Sequence, residues 1–335
     1  MDADRLHAHP NALAPHYSRF RVGERLLLTG HSHQAWPDRA MDGQVAALED
    51  AARLVDGKWE RALERADRVR AGFARLLDDA SGAYALGANT HELVVRLLSA
   101  LPLRRRPRVV TTDGEFHSLR RQLHRLEEEG LEVVREPADE PHTLAERLAG
   151  QVDSRTCAVM VSSVLFRSGL MVDGLDQVQA ACLREGAALV VDAYHSVNVA
   201  PLSVREQGLE QAYVLGGGYK YCQLGEGNCF LRLPAEGQKL RPAITGWFAE
   251  MDHLASPDHR RVRYGEGPSR FAGSTYDPTS HYRAAEVFDF FFEQGLTPAL
   301  LRQVSQHQVG LLLEQLQEMD LPANLLELPR DVPLQ

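Results

Sequence analysis

The chain has 335 residues, enough to bury a large core and to hold one big domain with a smaller one. Its hydrophobic fraction of 44% and charged fraction of 25% are those of an ordinary soluble globular protein. The formal net charge of −9 at pH 7 argues against a general nucleic-acid or anionic-membrane binder, because either would need a basic face.

Targeting signals and cysteine spacing indicate the cellular compartment in which the protein is expected. The first residues, Met1-Asp2-Ala3-Asp4-Arg5, are polar and predict no signal peptide, and no apolar segment approaches the roughly 18 residues of a membrane span. The cysteines show no CxxC spacing, which is typical of reduced, partly buried thiols. They are Cys157, Cys182, Cys222 and Cys229. We therefore expect a cytoplasmic protein with no membrane or nucleic-acid partner.

The N-terminal region lacks the alternation of strand-like and helix-like segments that the middle of the chain shows. Residues 1–40 contain three prolines and several histidines and predict a loop-like arm. Residues Met41–Leu77 predict one or two long helices, interrupted near Asp56-Gly57. The His-x-His pairs of the arm lack carboxylate or cysteine ligands at a structured spacing, so we predict no specific metal site.

The middle of the chain alternates strand-like and helix-like segments. Short apolar runs predict seven strands, at Ala83–Leu86, Val109–Thr112, Leu131–Val134, Cys157–Ser162, Ala187–Asp192, Ala212–Leu215 and Asn228–Leu233. Amphipathic stretches predict helices at His91–Ala100, Ser118–Glu129, Leu144–Ala149 and Leu175–Glu185. These repeated units predict an α/β fold, a mostly parallel seven-stranded sheet between helices. No helix is predicted between the last two strands, so one of them can run antiparallel.

The last part of the chain predicts an irregular stretch, a long helix and a final apolar piece. The irregular stretch runs from Trp247 to about Pro278, the helical region from Ser280 to Met319, and the apolar piece covers Leu325–Leu328. We therefore divide the chain into an N-terminal arm (1–40), a large domain (41–245) and a C-terminal part (246–335).

Polar residues fall where parallel strands end, which is where α/β sheets bind ligands. Asn89 or Thr90 can cap a helix whose first N–H groups receive a phosphate. Asp192 ends a very apolar strand and is costly there unless it is paired. Lys220 follows three glycines that allow close backbone approach, and a partly desolvated lysine can be an amine nucleophile. Taken alone, each of these residues has a simpler explanation. Asn89 or Thr90 can cap a helix that binds no ligand, Asp192 can serve a turn, and Lys220 can be an exposed lysine.

Together, these residues supply what a pyridoxal 5′-phosphate (PLP) site needs. The turn at Asn89 and Thr90 can anchor the phosphate, and Phe116, after a strand, can stack on the ring. Asp192 can pair with the pyridine nitrogen, and Lys220 can form the Schiff base. Their order along the chain therefore predicts PLP as the cofactor.

With these residues in place, the sequence resembles the aminotransferase class V family of fold-type I PLP enzymes, and within it the kynureninases. The resemblance covers roughly residues 25–280. Its most specific elements are Val191-Asp192-Ala193-Tyr194-His195-Ser196 and Gly218-Tyr219-Lys220-Tyr221. Further similar segments are Glu115-Phe116, Gly246-Trp247-Phe248 and Gly273-Ser274-Thr275.

The resemblance implies a role for each matching residue. The catalytic residues implied are Lys220, Asp192 and His195, with His195 supporting Asp192 or lying over the ring. Further cofactor contacts are implied for Asn89, Thr90, Phe116, Tyr219, Trp247 and Thr275. Trp247 and Thr275 would reach the phosphate of a second copy, because members of the family resemble homodimers with shared sites. Ser32 and His31 lie where the family has a loop that contacts the substrate.

The activity implied is hydrolysis of a side-chain carbon–carbon bond in an aromatic amino acid, as in the conversion of kynurenine to anthranilate and alanine. Two departures from the pattern leave alternatives open. Leu119 stands where the family has an acidic residue, and the sequence ends at Gln335, before the segment that supplies an arginine for the substrate carboxylate. We therefore expect an incomplete C-terminal small domain. The alternatives are another class V lyase or aminotransferase, or a non-catalytic dimer with the PLP fold.

Overall fold

Seven strands form one sheet in the computed structural model, which describes residues 1–255, 260–319 and Pro322. In chain order they are β1 (Tyr84–Gly87), β2 (Arg108–Thr112), β3 (Glu132–Glu136), β4 (Thr156–Ser162), β5 (Ala188–Asp192), β6 (Tyr213–Gly217) and β7 (Cys229–Arg232). Each lies within one or two residues of a run of apolar residues that predicted it. The seven predicted strands are therefore confirmed.

The strands are ordered β1-β7-β6-β5-β4-β2-β3 across the sheet. Strands β3, β2, β4, β5 and β6 pair in parallel, whereas β7 pairs antiparallel with both β6 and β1. The connection from β6 to β7 contains no helix, so β7 returns beside β6 in the opposite direction. This confirms the predicted fold class, a mostly parallel sheet with one reversed strand among the last two.

Helices cover both faces of the sheet, as parallel sheets require because both faces are apolar. The described helices are α1 (Ala3–Ala8), α2 (Arg39–Leu54), α3 (Lys58–Leu76), α4 (Thr90–Ala100), α5 (His117–Glu128), α6 (Pro141–Gly150), α7 (Leu175–Glu185), α8 (Thr279–Gln294) and α9 (Pro298–Glu318). One core cluster joins the sheet to α3, α6, α7 and α8, and a second joins its other face to α4 and α5.

The N-terminal arm is more ordered than predicted. It contains α1 and a 3₁₀ helix, Ala14–Phe20, where we expected only loop. The reason is burial: the Tyr17 ring packs edge-on against Phe290 of α8 at 5.9 Å, and its hydroxyl donates to Gln223 Oε1 at 2.6 Å. Gln223 lies three residues after Lys220, so the arm is tied to the loop that carries the lysine.

The long helix predicted after Ser280 is two helices. Helix α8 ends at Gly295, which has a φ of 69°, a left-handed conformation that glycine adopts without strain. Thr297 then caps α9 by accepting a hydrogen bond from the Leu300 N–H, and Pro298 occupies the first helical position. The predicted apolar piece at Leu325–Leu328, and with it the predicted small domain, lies outside the described residues.

Two further findings concern the chain as a whole. In the described ranges, no helix is both long and apolar enough to cross a membrane. The four cysteines are unpaired and buried, as their placement in apolar runs indicates.

Candidate active site

The ends of β5 and β6 bring the predicted aspartate and lysine to one edge of the sheet. Asp192 is the last residue of β5, and its Cα partner on β6 is Leu215. Lys220 follows the end of β6 by three residues. Because neighbouring strands lie about 4.8 Å apart, the two strand ends start adjoining loops. The position of both residues at this edge follows from the parallel pairing of β5 with β6.

Lys220 is a buried amine without a carboxylate partner among the described residues. Its side chain is only 6% exposed, and its Nζ lies 2.5 Å from His195 Nε2. Burial lowers the pKa of Lys220, while the charge of Asp192 opposes this decrease. Burial, followed by the Lys220 charge, lowers the pKa of His195 to about 3. His195 is therefore neutral at pH 7, and Lys220 loses its proton more readily than an exposed lysine does.

Asp192 is held by its own turn. Its Oδ1 accepts a hydrogen bond from the Tyr194 N–H at 2.9 Å, and it forms no ion pair within the described part of the chain. Burial raises the pKa of Asp192, and the Tyr194 N–H and the charge of Lys220 both oppose the increase. A carboxylate in this position is stabilised by a cationic partner, which a protonated ring nitrogen can provide.

Aromatic rings surround the lysine. Lys220 Nζ lies 5.3 Å from the ring centroid of Phe116, 5.6 Å from that of Tyr194 and 5.9 Å from that of Tyr219. The ring of His195 lies 5.7 Å from Phe116. The structure thus brings together four residues predicted to form the site, Lys220, His195, Phe116 and Tyr219.

The three glycines before the lysine are required by packing. A Cβ on Gly217 would lie 2.4 Å from a ring carbon of Tyr194 and 2.6 Å from Cys229 Sγ. A Cβ on Gly218 would lie 2.5 Å from Leu224. All three distances are far below normal contact, so larger residues here would displace the ring of Tyr194 and the loop after Lys220.

The predicted phosphate turn lies at the same edge of the sheet. Gly87, Cys229 and Gly217 are aligned across β1, β7 and β6. Asn89 caps α4, its side chain accepting from the Glu92 N–H at 2.9 Å. The structure thus selects Asn89 over Thr90 as the capping residue, and the N-terminus of α4 faces the edge that carries the lysine loop.

Trp247 and Thr275 lie apart from this cluster. Trp247 Nε1 donates to Thr275 Oγ1 at 3.2 Å, and the tryptophan is 44% exposed. Gly246 packs directly on Gly273, which holds the two segments together. No contact described in the structure joins this pair to Lys220 within one chain. Its predicted role at the phosphate of a second copy stays a prediction.

The N-terminal loop reaches the site through a residue that the sequence analysis did not select. The ring of His33 stacks on Tyr219, with centroids 4.9 Å apart, and Gln34 N donates to the Tyr219 carbonyl. Ser32 Oγ lies 2.9 Å from His33 Nδ1. His31 is exposed and shows none of these contacts. The sequence alone gave no reason to prefer His33 over His31, and the contacts in the folded chain distinguish the two.

Two further residues near the site were not assigned a role from the sequence. The ring of Phe166, in the loop after β4, lies 5.2 Å from Phe116 and 6.2 Å from His195. Glu115, next to Phe116, is a buried carboxylate. Phe166 could have been selected from the sequence, because it follows the end of a predicted strand, as Phe116 does. Leu119, the departure from the family pattern, is buried at 3% exposure and packs in the core.

The cysteines of this chain are poorly suited to covalent chemistry. Burial raises the pKa of Cys157 to about 11 and that of Cys182 to about 12. It also raises the pKa of Cys222 and Cys229, the two that follow the lysine. A nucleophilic cysteine must be an accessible thiolate, and all four of these side chains are buried. In the described ranges, no three His, Cys, Asp or Glu residues are grouped as a metal site.

Comparison with known proteins assigns most of the chain to one family. A family model described as aminotransferase class-V matches residues 62–327. The chain is 25% identical over 191 residues to an uncharacterized aminotransferase, YcbU, of Bacillus subtilis, which covers 57% of this chain and 50% of that protein. It is 26% identical over 244 residues to a kynureninase of Xanthomonas euvesicatoria, covering 68% of this chain and 56% of that protein. The chain thus spans about half the length of these relatives.

Solved structures show the same fold. A mutant of the cystine C-S lyase C-DES, with glycine covalently linked to its PLP cofactor, superimposes with a TM-score of 0.75 at 16% identity, covering 86% of this chain and 76% of that one. The apo cysteine desulfurase of Thermococcus onnurineus gives a TM-score of 0.72 at 18% identity, covering 90% and 75%. At these identities the similarity concerns the fold.

Proposed function

This chain belongs to the aminotransferase class-V family, and from that premise we propose that it is a PLP-dependent enzyme that acts on a small amino acid substrate. The observation that carries the proposal is the buried amine of Lys220, which forms no ion pair with the described residues and lies at the same sheet edge as Asp192, with an aromatic ring 5.3 Å away. We assign Lys220 as the residue that binds the cofactor covalently.

The residues present fit this cofactor. Lys220 has a lowered pKa and a neutral imidazole at 2.5 Å, so its amine is available as a nucleophile. The carboxylate of Asp192 would pair with the protonated ring nitrogen, and the ring of Phe116 would stack on the cofactor ring. The N-terminus of α4 favours binding of the phosphate. When bound, PLP would withdraw electrons from the substrate carbon that carries the amino group.

The protein residues would then position the reacting groups and transfer protons. Asp192, held by the Tyr194 N–H, would keep the ring nitrogen protonated. His195, neutral at pH 7, would accept a hydrogen bond from the Lys220 amine and orient it. Lys220, once released from the cofactor, would carry a proton to or from the substrate, since its burial favours the neutral amine.

For the reaction, we propose a kynureninase-like hydrolysis of a side-chain carbon–carbon bond. It is supported by the similarity to a kynureninase over 68% of the chain and by the motifs around Asp192 and Lys220. An aminotransferase activity is the second candidate, supported by the similarity to YcbU. Cysteine desulfuration through any of the four cysteines of this chain is disfavoured, because burial raises their pKa values.

The lysine content of the chain makes the cofactor assignment easy to test. The sequence contains three lysines, of which Lys58 is half-buried, Lys239 is exposed and Lys220 is buried. We expect PLP to give a visible absorption band and, after borohydride reduction, a stable adduct mapped by mass spectrometry to the Lys220 peptide.

Replacing this lysine should abolish the adduct entirely. Lys220→Ala removes the only buried amine, whereas the matched control Lys239→Ala removes an exposed one that pairs with Glu236. An adduct that persists in Lys220→Ala, on either remaining lysine, would contradict the assignment. Release of fluorescent anthranilate from kynurenine, or of 3-hydroxyanthranilate from 3-hydroxykynurenine, distinguishes hydrolysis from transfer of the amino group to a 2-oxo acid.

A further inference from the structure

A second carboxylate lies buried at the sheet edge beside Asp192. Glu115, at 2% exposure, receives three hydrogen bonds. Its Oε1 accepts from Thr112 Oγ1 at 2.7 Å and from the Ser162 N–H at 3.2 Å, and its Oε2 accepts from Ser162 Oγ at 2.6 Å. These contacts fasten the turn after β2 to the end of β4. A fully buried glutamate without a cation is costly, and the role proposed above for Asp192 does not explain it.

Glu115 connects two elements of the site. Ser162, which binds its carboxylate, is the Cα partner of Asp192 in the pairing of β4 with β5, and these strand ends lie about 4.8 Å apart. The residue after Glu115 is Phe116, the N-cap of α5. The two carboxylates therefore lie at the adjoining ends of β4 and β5, and Glu115 directly precedes Phe116 in the chain.

The charged groups around Glu115 are few. Among the described residues, Asp192 on β5 is the charge that acts on Glu115; the ring of Phe116, the next residue in the chain, lies 5.3 Å from Lys220 Nζ and 5.7 Å from the ring of His195. Its neighbours in the turn face elsewhere, since Asp113 accepts from the Ala138 N–H and His117 contacts Arg120.

The ionisation of Glu115 falls in the neutral range. Burial raises the pKa of Glu115 to about 7, the charge of Asp192 adds to the increase, and the hydrogen bonds from Ser162 and Thr112 oppose it. The carboxylate therefore loses its proton as the pH rises through neutrality, which places a second negative charge beside Asp192.

We propose that Glu115 is a positioning residue for the cofactor ring, which fixes the turn of Phe116 to the strand end beside Asp192 and adds its own charge to the electrostatic field of that aspartate. This inference rests on the proposed function. A negative charge stabilises a protonated linkage between Lys220 and the cofactor, so loss of the charge lowers the pH at which that linkage deprotonates.

Glu115→Gln separates the charge from the contacts. The amide oxygen can keep the bonds from Thr112 and the Ser162 N–H, and the amide nitrogen can donate to Ser162 Oγ, but the side chain stays neutral. We expect the pH midpoint of the visible band to fall by about 0.5 to 1 unit relative to the unmodified protein. Asp113→Asn, a loss of one carboxylate in the same turn, is the control and should leave the midpoint unchanged.

The test is a titration of the visible band from pH 5.5 to 9, on protein whose Lys220 adduct is confirmed by borohydride reduction. It distinguishes failure of this inference from failure of the proposed function. A midpoint in Glu115→Gln equal to that of the unmodified protein, with the adduct intact, overturns this inference and leaves the proposed function standing. An unmodified protein that forms no adduct at Lys220 overturns both.

Ser162→Ala keeps the test decisive if Glu115→Gln does not fold. It removes one donor to the carboxylate, which disfavours the charged form of Glu115. The midpoint should then fall in the same direction by a smaller amount. An unchanged midpoint in a folded Ser162→Ala protein also overturns the inference.

Discussion

Two groups of predicted cofactor residues differ in how they are held. Lys220, His195 and Phe116 lie within a few ångströms of one another at the ends of buried strands. Trp247 and Thr275 bond to each other on an exposed surface and contact none of these three. The difference teaches that the fold of one chain brings the first three residues together, whereas the contacts within one chain give the exposed pair no place beside them, so its predicted role in a shared dimeric site has to be tested separately.

The largest effect should come from Asp192, at the same sheet edge as the first group. Asp192→Asn keeps the size of the side chain and the contact with the Tyr194 N–H but removes the charge that would pair with the ring nitrogen. A hydrogen bond to a charged group contributes about 1.5–3 kcal/mol, so turnover should fall by about 10- to 100-fold. Steady-state kinetics on the substrate found active would measure this. Full activity in Asp192→Asn would contradict the proposed pairing of Asp192 with the ring nitrogen.

The second effect concerns the packing that holds the first group. Gly217→Ala places a methyl group 2.4 Å from the ring of Tyr194 and should reduce the free energy of unfolding by about 1–3 kcal/mol. In Gly310→Ala, within α9, the added methyl group meets no atom within 4 Å, so the change should stabilise the helix by about 0.5–1 kcal/mol. Urea unfolding of both variants tests the contrast, and equal stabilities would show that the glycines are not required by packing.

The smallest effect on the folded chain should come from the exposed pair. Trp247→Ala should change the free energy of unfolding by less than about 1 kcal/mol, because the side chain is 44% exposed. Trp59→Ala is the matched control and should cost at least about 2 kcal/mol, since its ring packs against Phe248 and Tyr276.

The same two variants can test the shared site. If Trp247 reaches the phosphate of a second copy, Trp247→Ala should lose PLP faster in gel filtration although its stability is nearly unchanged. Gel filtration should also place the unmodified protein at the size of a dimer. Unchanged cofactor retention in Trp247→Ala would contradict the shared site.

The sequence was a good guide where local pattern determines structure. The seven strands and the helices between them follow from apolar runs and helical spacing, and Asp192 and Lys220 were found because strand ends and glycines are visible in the sequence. The break at Gly295 was missed, although Gly-Leu-Thr-Pro is a helix stop and start, because apolar spacing continues through it.

Residues that depend on long-range contacts could not be found in this way. His31 and His33 both flank Ser32, and the stacking of His33 on Tyr219, 186 positions away, distinguishes the two. Glu115 is buried because Ser162, from another strand, binds its carboxylate. The sequence analysis named Glu115 only as part of a segment similar to the family, because a contact between the turn after β2 and the end of β4 leaves no local pattern.

The small number of lysines has a chemical consequence. Arginine guanidinium stays protonated at physiological pH and does not compete as an amine nucleophile, so the many basic side chains of this protein are inert toward an aldehyde. Free pyridoxal compounds, reactive sugars and lipid aldehydes would therefore meet few competing lysine amines on its surface. Besides Lys220, the lysine side chains of this sequence that an aldehyde could modify are Lys58 and Lys239, so few lysine adducts would compete with the one at Lys220.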